Sequence, residues 1–367
     1  MTRIVWVTNQ ASPYRLGMWR RIAVDHELDV VLLEAQQRSA RDHDWHQVAG
    51  GEPYRFVSPP TVSIGRGEVR LYGIVGRAAE LLRGASAVVL AGWESPAFWQ
   101  LKWAAGRAGI PIVGFYESHA ATARFKKPPI AALRATFFRS LDATIVPGAA
   151  AQEHVASFGV EAARIFTGFN AVDMASFLRP ATTPPPDPSS LLYVGQLIHR
   201  KNVTTLLAAM VDLPAGVRLT VVGDGPVESH LRKRVRAMGL DARVDFVGYV
   251  PYRDLPGVMH RHAHLVLPSR QEVWGLVVNE ALAAGMHVVV AETAGVTSSV
   301  RGMAGVYPTG VTTAALSKAV TSSIADWRGP ITHPAVHVHT VTELGEVALA
   351  AIAAAIDVTP ASSARRD

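Results

Sequence analysis

"RPATTPPPDPSSLLYVGQLIHRKN", Arg179 to Asn202, interrupts this chain of 367 residues and shows what the chain is built from on either side. The prolines between Pro180 and Pro188 lack backbone donors and lock φ, so 180–189 enters neither a helix nor a central strand and reads as a linker. Directly after it, "LLYVG" is a continuous apolar run closed by a glycine turn, and a helix is expected to begin near Asn202. Apolar strand, tight turn and helix make the repeating unit of a parallel sheet covered on both faces.

The same unit recurs outward in both directions. Before the linker come "IVWVTN", "LDVVLLEA", "AVVLAG", "PIVGFYES", "ATIVPG" and "ARIFTGF", with helices expected at Tyr14–Ala23, Val69–Arg83, Pro96–Ala108 and Ile130–Phe138. After it come "RLTVVGDG", "VDFVGYV", "AHLVLPS" and "HVVVAE". The expected fold class is α/β: two Rossmann-like, doubly wound domains, 1–179 and 190–340, whose strand carboxyl ends can face one another across a cleft. A last helix, 341–357, has no evident place in the second sheet and is expected to return to the first domain. The closing "VTPASSARRD", 358–367, reads as a disordered tail.

Composition narrows the function. With 49% hydrophobic and 18% charged residues the chain can fill two cores. The absence of cysteine excludes disulfides and thiolate metal sites and fits a reducing compartment. "RIVWVT" near the start is strand-like rather than a signal peptide, and no apolar run approaches the roughly 20 residues of a membrane span, so a cytoplasmic protein is expected. The net charge of +6 reflects compositional bias, an acidic ligand or an anionic membrane surface. Nucleic acid is not an expected partner, for there is no zinc finger, RNP-like motif or lysine-rich arm.

Three turns carry chemistry. In "VGQLIHRKN", Arg200 and Lys201 stand at a helix N-terminus, where free N–H groups and the dipole favour an anion and disfavour unpaired cations. "VVGDGP" has Gly223 and Gly225 but Glu228 where a dinucleotide fingerprint would place its third glycine, so it does not argue for NAD. "SRQEVWGLVVNEALAAG", Ser269 to Gly285, sets Glu272 in a loop and Glu280 inside a helix expected over Leu276–Ala284. The two acids can then reach opposite ends of one elongated ligand, with the amides of Val273, Trp274, Gly275 and Leu276 between them to cap a diphosphate. Two ordinary surface glutamates are the plainer alternative, but the apolar "VWGLVV" between them marks a packed segment.

In this order "VGQLIHRKN", "VGDGP", "FVGYVP", "VLPS" and the Glu272–Glu280 spacing resemble the family-4 retaining glycosyltransferases of GT-B fold. The likeness is close over about Leu191–Ala294 and looser at "SPYR", "YESH" and "NAVD"; from about Arg301 it is one of position only. It implies transfer of a hexose from a nucleotide-diphosphate sugar, with UDP favoured and GDP-mannose next, to a hydroxyl acceptor. Anomeric configuration is retained, and no metal or other cofactor is expected. It also implies Lys201 on the diphosphate, Glu272 on hydroxyls of the donor hexose, Glu280 on the ribose and His119 near the donor sugar. Lys201, Glu272 and His119 are thus the catalytic candidates. Tyr249, Val250 and Pro251 would read the base, while Gln196, Arg200, Gly223 and Val273–Leu276 complete the donor set. Tyr14 and Arg15, in the first strand-to-helix loop, would line the acceptor side. The sequence departs from the family pattern at Gln196, where an arginine is usual; at His287, where a proline follows the closing glycine; and at "AGVTSS", a reduced form of a Gly-Gly…Glu element. A GT-B epimerase and a non-catalytic nucleotide-sugar-binding subunit are the alternatives.

Other signals are weaker. "DHD", Asp42 to Asp44, resembles a metal-binding pair but sits in a polar loop, and the histidines of "HRHAH" diverge across a helix end and a strand start. "ARFKKPPIAALRATFFRS", Ala123 to Ser140, mixes cations with bulky apolar residues. It reads either as a helix packed on the sheet or as a contact with an anionic lipid surface or lipid-linked acceptor, which would place the protein at the inner membrane face.

Overall fold

The computed structural model describes residues 1–34, 51–66, 69–171 and 173–358. It divides into two compact units: one of Met1–His119, Ala123–Phe169 and Val341–Asp367, the other of Ala120–Thr122 and Asn170–Thr340. "DHD" and the tail from residue 359 lie outside the described residues.

In the first unit the strands are β1 (Arg3–Thr8), β2 (Glu27–Leu32), β3 (Arg55–Val57), β4 (Thr61–Arg66), β5 (Val69–Ile74), β6 (Ala87–Leu90), β7 (Ile112–Phe115), β8 (Ala143–Pro147) and β9 (Ile165–Gly168). Seven of them form a parallel sheet in the order β3-β2-β1-β6-β7-β8-β9. Its helices are α1 (Leu16–Asp25), α2 (Ala78–Leu81), α3 (Pro96–Ala108), α4 (Ile130–Arg139), α5 (Gly148–Ala156) and, from the far end of the chain, α12 (Glu343–Val358). Strand period decides the layering. In β1, Val5 and Val7 join a core with Phe98, Leu101 and Phe137, whereas Ile4 and Trp6 join one with Trp19, Ile22 and Ile352. Both faces are apolar, so both must be covered by helices.

The helix expected over Val69–Arg83 is not there. Val69–Ile74 is strand β5, paired antiparallel with β4, and only Ala78–Leu81 is helical. Val69, Leu71, Tyr72 and Ile74 fit either period, and Gly73 weakens a helix. Long-range partners then decide for the strand: the amides of Tyr72 and Ile74 donate to Ser95 Oγ at 3.1 Å and Gln100 Oε1 at 2.9 Å.

The second unit has β10 (Ser190–Val194), β11 (Arg218–Val222), β12 (Val244–Gly248), β13 (His264–Leu267), β14 (His287–Ala291) and β15 (Val306–Thr309). They form a sheet in the order β12-β11-β10-β13-β14-β15. Its helices are α6 (Val203–Asp212), α7 (Glu228–Ala237), α8 (Leu255–Met259), α9 (Leu276–Ala283), α10 (Thr297–Val300) and α11 (Thr313–Ala325). The chain passes into this unit at Asn170, ahead of the proline run. Asn279 Nδ2 donates to the Asn170 carbonyl at 2.8 Å, Arg179 to that of His260 at 2.6 Å, and His264 Nε2 lies 2.8 Å from that of Pro188. The expected linker, 180–189, is therefore bonded into the second unit. Prolines mark where regular structure stops, but not which body holds the segment.

The final helix α12 packs on α1, β8 and β9 of the first unit. Leu344, Ala348, Ala351, Ile352 and Ala355 form its buried stripe, with the spacing of one helical face. It begins at Glu343, two residues later than expected, and takes in Val358.

Candidate active site

In a doubly wound sheet, strand order reverses at one point, and the loops leaving the carboxyl ends there splay into a crevice. In the second unit that point lies between β10 and β13. The loop after β10 carries Gln196, Arg200 and Lys201; the loop after β13 carries Ser269 to Gly275. Lys201 Nζ and Glu272 Oε2 form an ion pair across the reversal, joining residues 71 positions apart. Both side chains are nearly buried, and Ser269 Oγ is a second partner of Glu272 Oε2 at 3.3 Å.

Hydrogen bonds hold the two loops in place. Asn202, buried and left-handed at φ 60°, donates to the carbonyls of Pro268 at 3.1 Å and Val311 at 3.2 Å. The Arg270 amide donates to the Arg200 carbonyl at 2.8 Å. The amides of Gly295 and Val296 donate at 3.1 Å to the carbonyls of Glu272 and Trp274, so the segment beginning "AGV" braces the Glu272 loop through its backbone. Sequence alone marks Asn202 only as a helix start. The available signal was that Asn tolerates αL and can bond locally.

The glycine turn after β11 packs into the turn after β10. A Cβ on Gly223 would lie 2.1 Å from the Gly195 carbonyl oxygen, and one on Gly225 would lie 2.4 Å from that of Leu197. Positive φ at both positions adds to the demand for glycine. The Gly223 amide donates to the Gly248 carbonyl at 2.7 Å, tying in the start of the Tyr249–Pro251 stretch. Beneath Gln196, buried Tyr193 donates its hydroxyl to the Gln196 carbonyl at 3.0 Å, leaving the Gln196 side chain exposed. Burial pushes the Tyr193 phenol up, and the charge of Glu272 adds to the shift.

Gly275 is left-handed, and α9 starts directly after it at Leu276, so the first amides of α9 lack helical acceptors and point out of the turn. Glu280 lies inside α9 and is buried. Burial pushes its carboxyl up to about 7, against the pull of a hydrogen bond with Tyr252. Tyr252 directly follows Tyr249–Pro251 and stacks edge-on against Phe177, 5.6 Å between ring centroids.

His119, Tyr14 and Arg15 belong to the first unit. His119 is buried just beyond β7. Arg15 pairs with Glu117, donates to Thr8 Oγ1 at 3.0 Å and lies over the Phe115 ring at 4.9 Å. Tyr14 stands beside it, half-buried. The "HRHAH" histidines are taken up in the scaffold. His260 contacts the Phe177 carbonyl, His262 the Val258 carbonyl and Thr220, and His264 Ser323 and the Pro188 carbonyl. Among the described residues no group of three or more His, Asp or Glu is placed to hold a metal ion.

Two Rossmann-like units, with basic and acidic loops meeting at a strand-order reversal, define the GT-B class of nucleotide-sugar folds. Two family patterns match in tandem: "Glycosyltransferase Family 4" over residues 21–176 and "Glycosyl transferases group 1" over 175–328. The chain belongs to the family-4 glycosyltransferases of GT-B fold. It is 32% identical to the glycogen synthase of Mycobacterium tuberculosis over 200 residues, 53% of this chain and 48% of that one. It is 28% identical to the sulfoquinovosyl transferase SQD2 of Arabidopsis thaliana over 204 residues, 51% of this chain and 39% of that one. The chain thus spans about half or less of the length of these curated relatives. Anabaena HepE, solved in complex with UDP, has the same fold, with a TM-score of 0.69 at 15% identity over the whole of both chains.

Proposed function

We propose that this protein transfers a hexose from a nucleotide-diphosphate sugar, a UDP-sugar before GDP-mannose, to a hydroxyl of a glycan, glycolipid or natural-product acceptor, with retention and without a metal. The observation that carries the proposal is the Lys201–Glu272 pair at the β10/β13 reversal, with buried Glu280 eight positions further along. A diphosphate leaving group gains negative charge as its bond to the anomeric carbon breaks, and groups already aimed at that charge lower the barrier. Lys201 and the first amides of α9 are such groups. The acceptor oxygen bonds to the anomeric carbon on the face the diphosphate leaves, and its proton passes to a diphosphate oxygen. Glu272 would hold the hexose hydroxyls, Glu280 the ribose and Tyr249–Pro251 the base. A UDP donor is supported by the UDP held in HepE, of the same fold.

Calorimetric titration with a panel of nucleotide sugars, with and without EDTA, tests the donor and the metal together. Binding of UDP-sugars that survives EDTA is expected; binding abolished by EDTA removes the metal-free mechanism. Product analysis separates transfer from an isomerised sugar or no turnover.

A further inference from the structure

Between Ala123 and Leu141 the chain carries five cations, Arg124, Lys126, Lys127, Arg134 and Arg139, and no acid. One of the five faces inward. Arg134 is buried, donates to the Arg124 carbonyl at 2.9 Å and lies over the rings of Trp93 at 5.6 Å and Phe158 at 4.9 Å. It clamps the loop ahead of α4 from behind, and the other four cations are exposed.

Interleaved with them, Phe125, Ile130 and Leu133 are 40%, 42% and 48% exposed. Phe125 is held at φ 55°, a conformation bulky residues rarely adopt, with the Trp93 ring T-shaped to its own at 6.4 Å between centroids. Ile130 and Leu133 are exposed in the first turn of α4, whereas Phe137, on the same stripe one to two turns on, and Phe138 are buried in the core, so the stripe overhangs the core at the start of the helix. Single exposed apolar side chains are ordinary. Three large ones within positions 125–133, bracketed by cations and free of acids, make a different surface. Lys126 and Lys127 also precede a helix N-terminus, where the dipole repels them unless anions stand in front.

We propose that this face of the first unit docks on an anionic lipid surface, Phe125, Ile130 and Leu133 entering the interface and Arg124, Lys126 and Lys127 meeting headgroup phosphates. A lipid surface accepts apolar side chains and cations together, and this segment exposes both within positions 124–133. A membrane so bound would place the enzyme beside lipid-linked acceptors.

Co-sedimentation of the full chain with phosphatidylcholine vesicles, with and without phosphatidylglycerol, tests this without turnover. Binding is expected only to the anionic vesicles and should weaken with salt. At roughly fivefold per basic residue, Lys126→Gln with Lys127→Gln should lower the partition about twenty-five-fold. Phe125→Ser with Leu133→Ser should also release the chain, with circular dichroism confirming that it is folded. Both lysines are exposed, so the lysine pair keeps the test valid if the apolar variant does not fold. Equal binding to neutral and anionic vesicles, or wild-type binding by the folded lysine variant, overturns the proposal. So does a chain that ignores vesicles but forms a dimer that Leu133→Ser dissociates, since the face would then be a protein contact.

Discussion

Lys201 and Glu272 form an ion pair with one another. A diphosphate that draws on the lysine must therefore share it with, or take it from, the carboxylate. Lys201→Ala is expected to lower kcat by two decades or more, roughly the cost of losing one oxyanion donor, with a smaller change in KM. Glu272→Ala is expected to spare UDP affinity and lose discrimination for the intact sugar donor. Because the two side chains touch, their effects should not add. Additive losses in a double-mutant cycle, or unchanged turnover in folded Lys201→Ala, would remove the pair from the mechanism.

Glu280 makes a pH-dependent prediction. Its carboxyl sits at about 7 in the fold against 4.5 for an ordinary glutamate, with burial as the cause. The stability linked to its proton is fully present below about pH 4.5 and is lost as pH rises through about 7, on the order of 3 kcal/mol in all. Ribose hydroxyls donating to the carboxylate favour the ionised form. Affinity for a UDP-sugar, whose esterified diphosphate keeps its charge here, should therefore rise between about pH 6 and pH 8 with release of a proton. Calorimetry in buffers of different ionisation heat measures that proton. Glu280→Gln should abolish the dependence and weaken binding; a wild-type pH profile in this variant would place the ribose elsewhere.

At the scale of elements, close approach at glycines determines which helices can pair. A Cβ on Gly345 of α12 would come 2.7 Å from the Arg21 Cβ of α1, and one on Gly17 of α1 would come 2.7 Å from the Val341 Cβ. In an exposed helix, Gly→Ala gains up to about 1 kcal/mol of propensity. Gly345→Ala is expected to do the reverse and lower the unfolding midpoint, because backbone-adjacent atoms cannot move aside. A raised midpoint in thermal unfolding would show that α12 does not depend on this contact. Element identity was legible wherever one period dominated, as in β1, β10 and α9. It failed at Val69–Arg83, where the apolar positions fit two periods and the deciding partners, Ser95 and Gln100, lie more than twenty positions on.

At the scale of the molecule, the last helix belongs to the first body although it follows the second in sequence. Ligand bound to the native state stabilises what it contacts by about 2.7 kcal/mol at a hundredfold excess over Kd. In hydrogen exchange, UDP should therefore slow amides around the β10–α6 and β13–α9 loops and in the second sheet. α12 should instead follow β8 and β9. Protection of α12 together with the second sheet would contradict this division of the chain.

The sequence alone determined the strand–turn–helix repeat, the tandem α/β class and which loops carry charge, because these depend on spacing along the chain. The spacing of Glu272 and Glu280, eight positions around a packed apolar run, was visible for the same reason. Only the tertiary structure decided that Lys201 meets Glu272, that Asn202 and the 294–296 segment brace their loops, and that the crossing into the second unit precedes the prolines. Those features arise where strand order reverses and where distant backbone groups must find partners, and no local period records either.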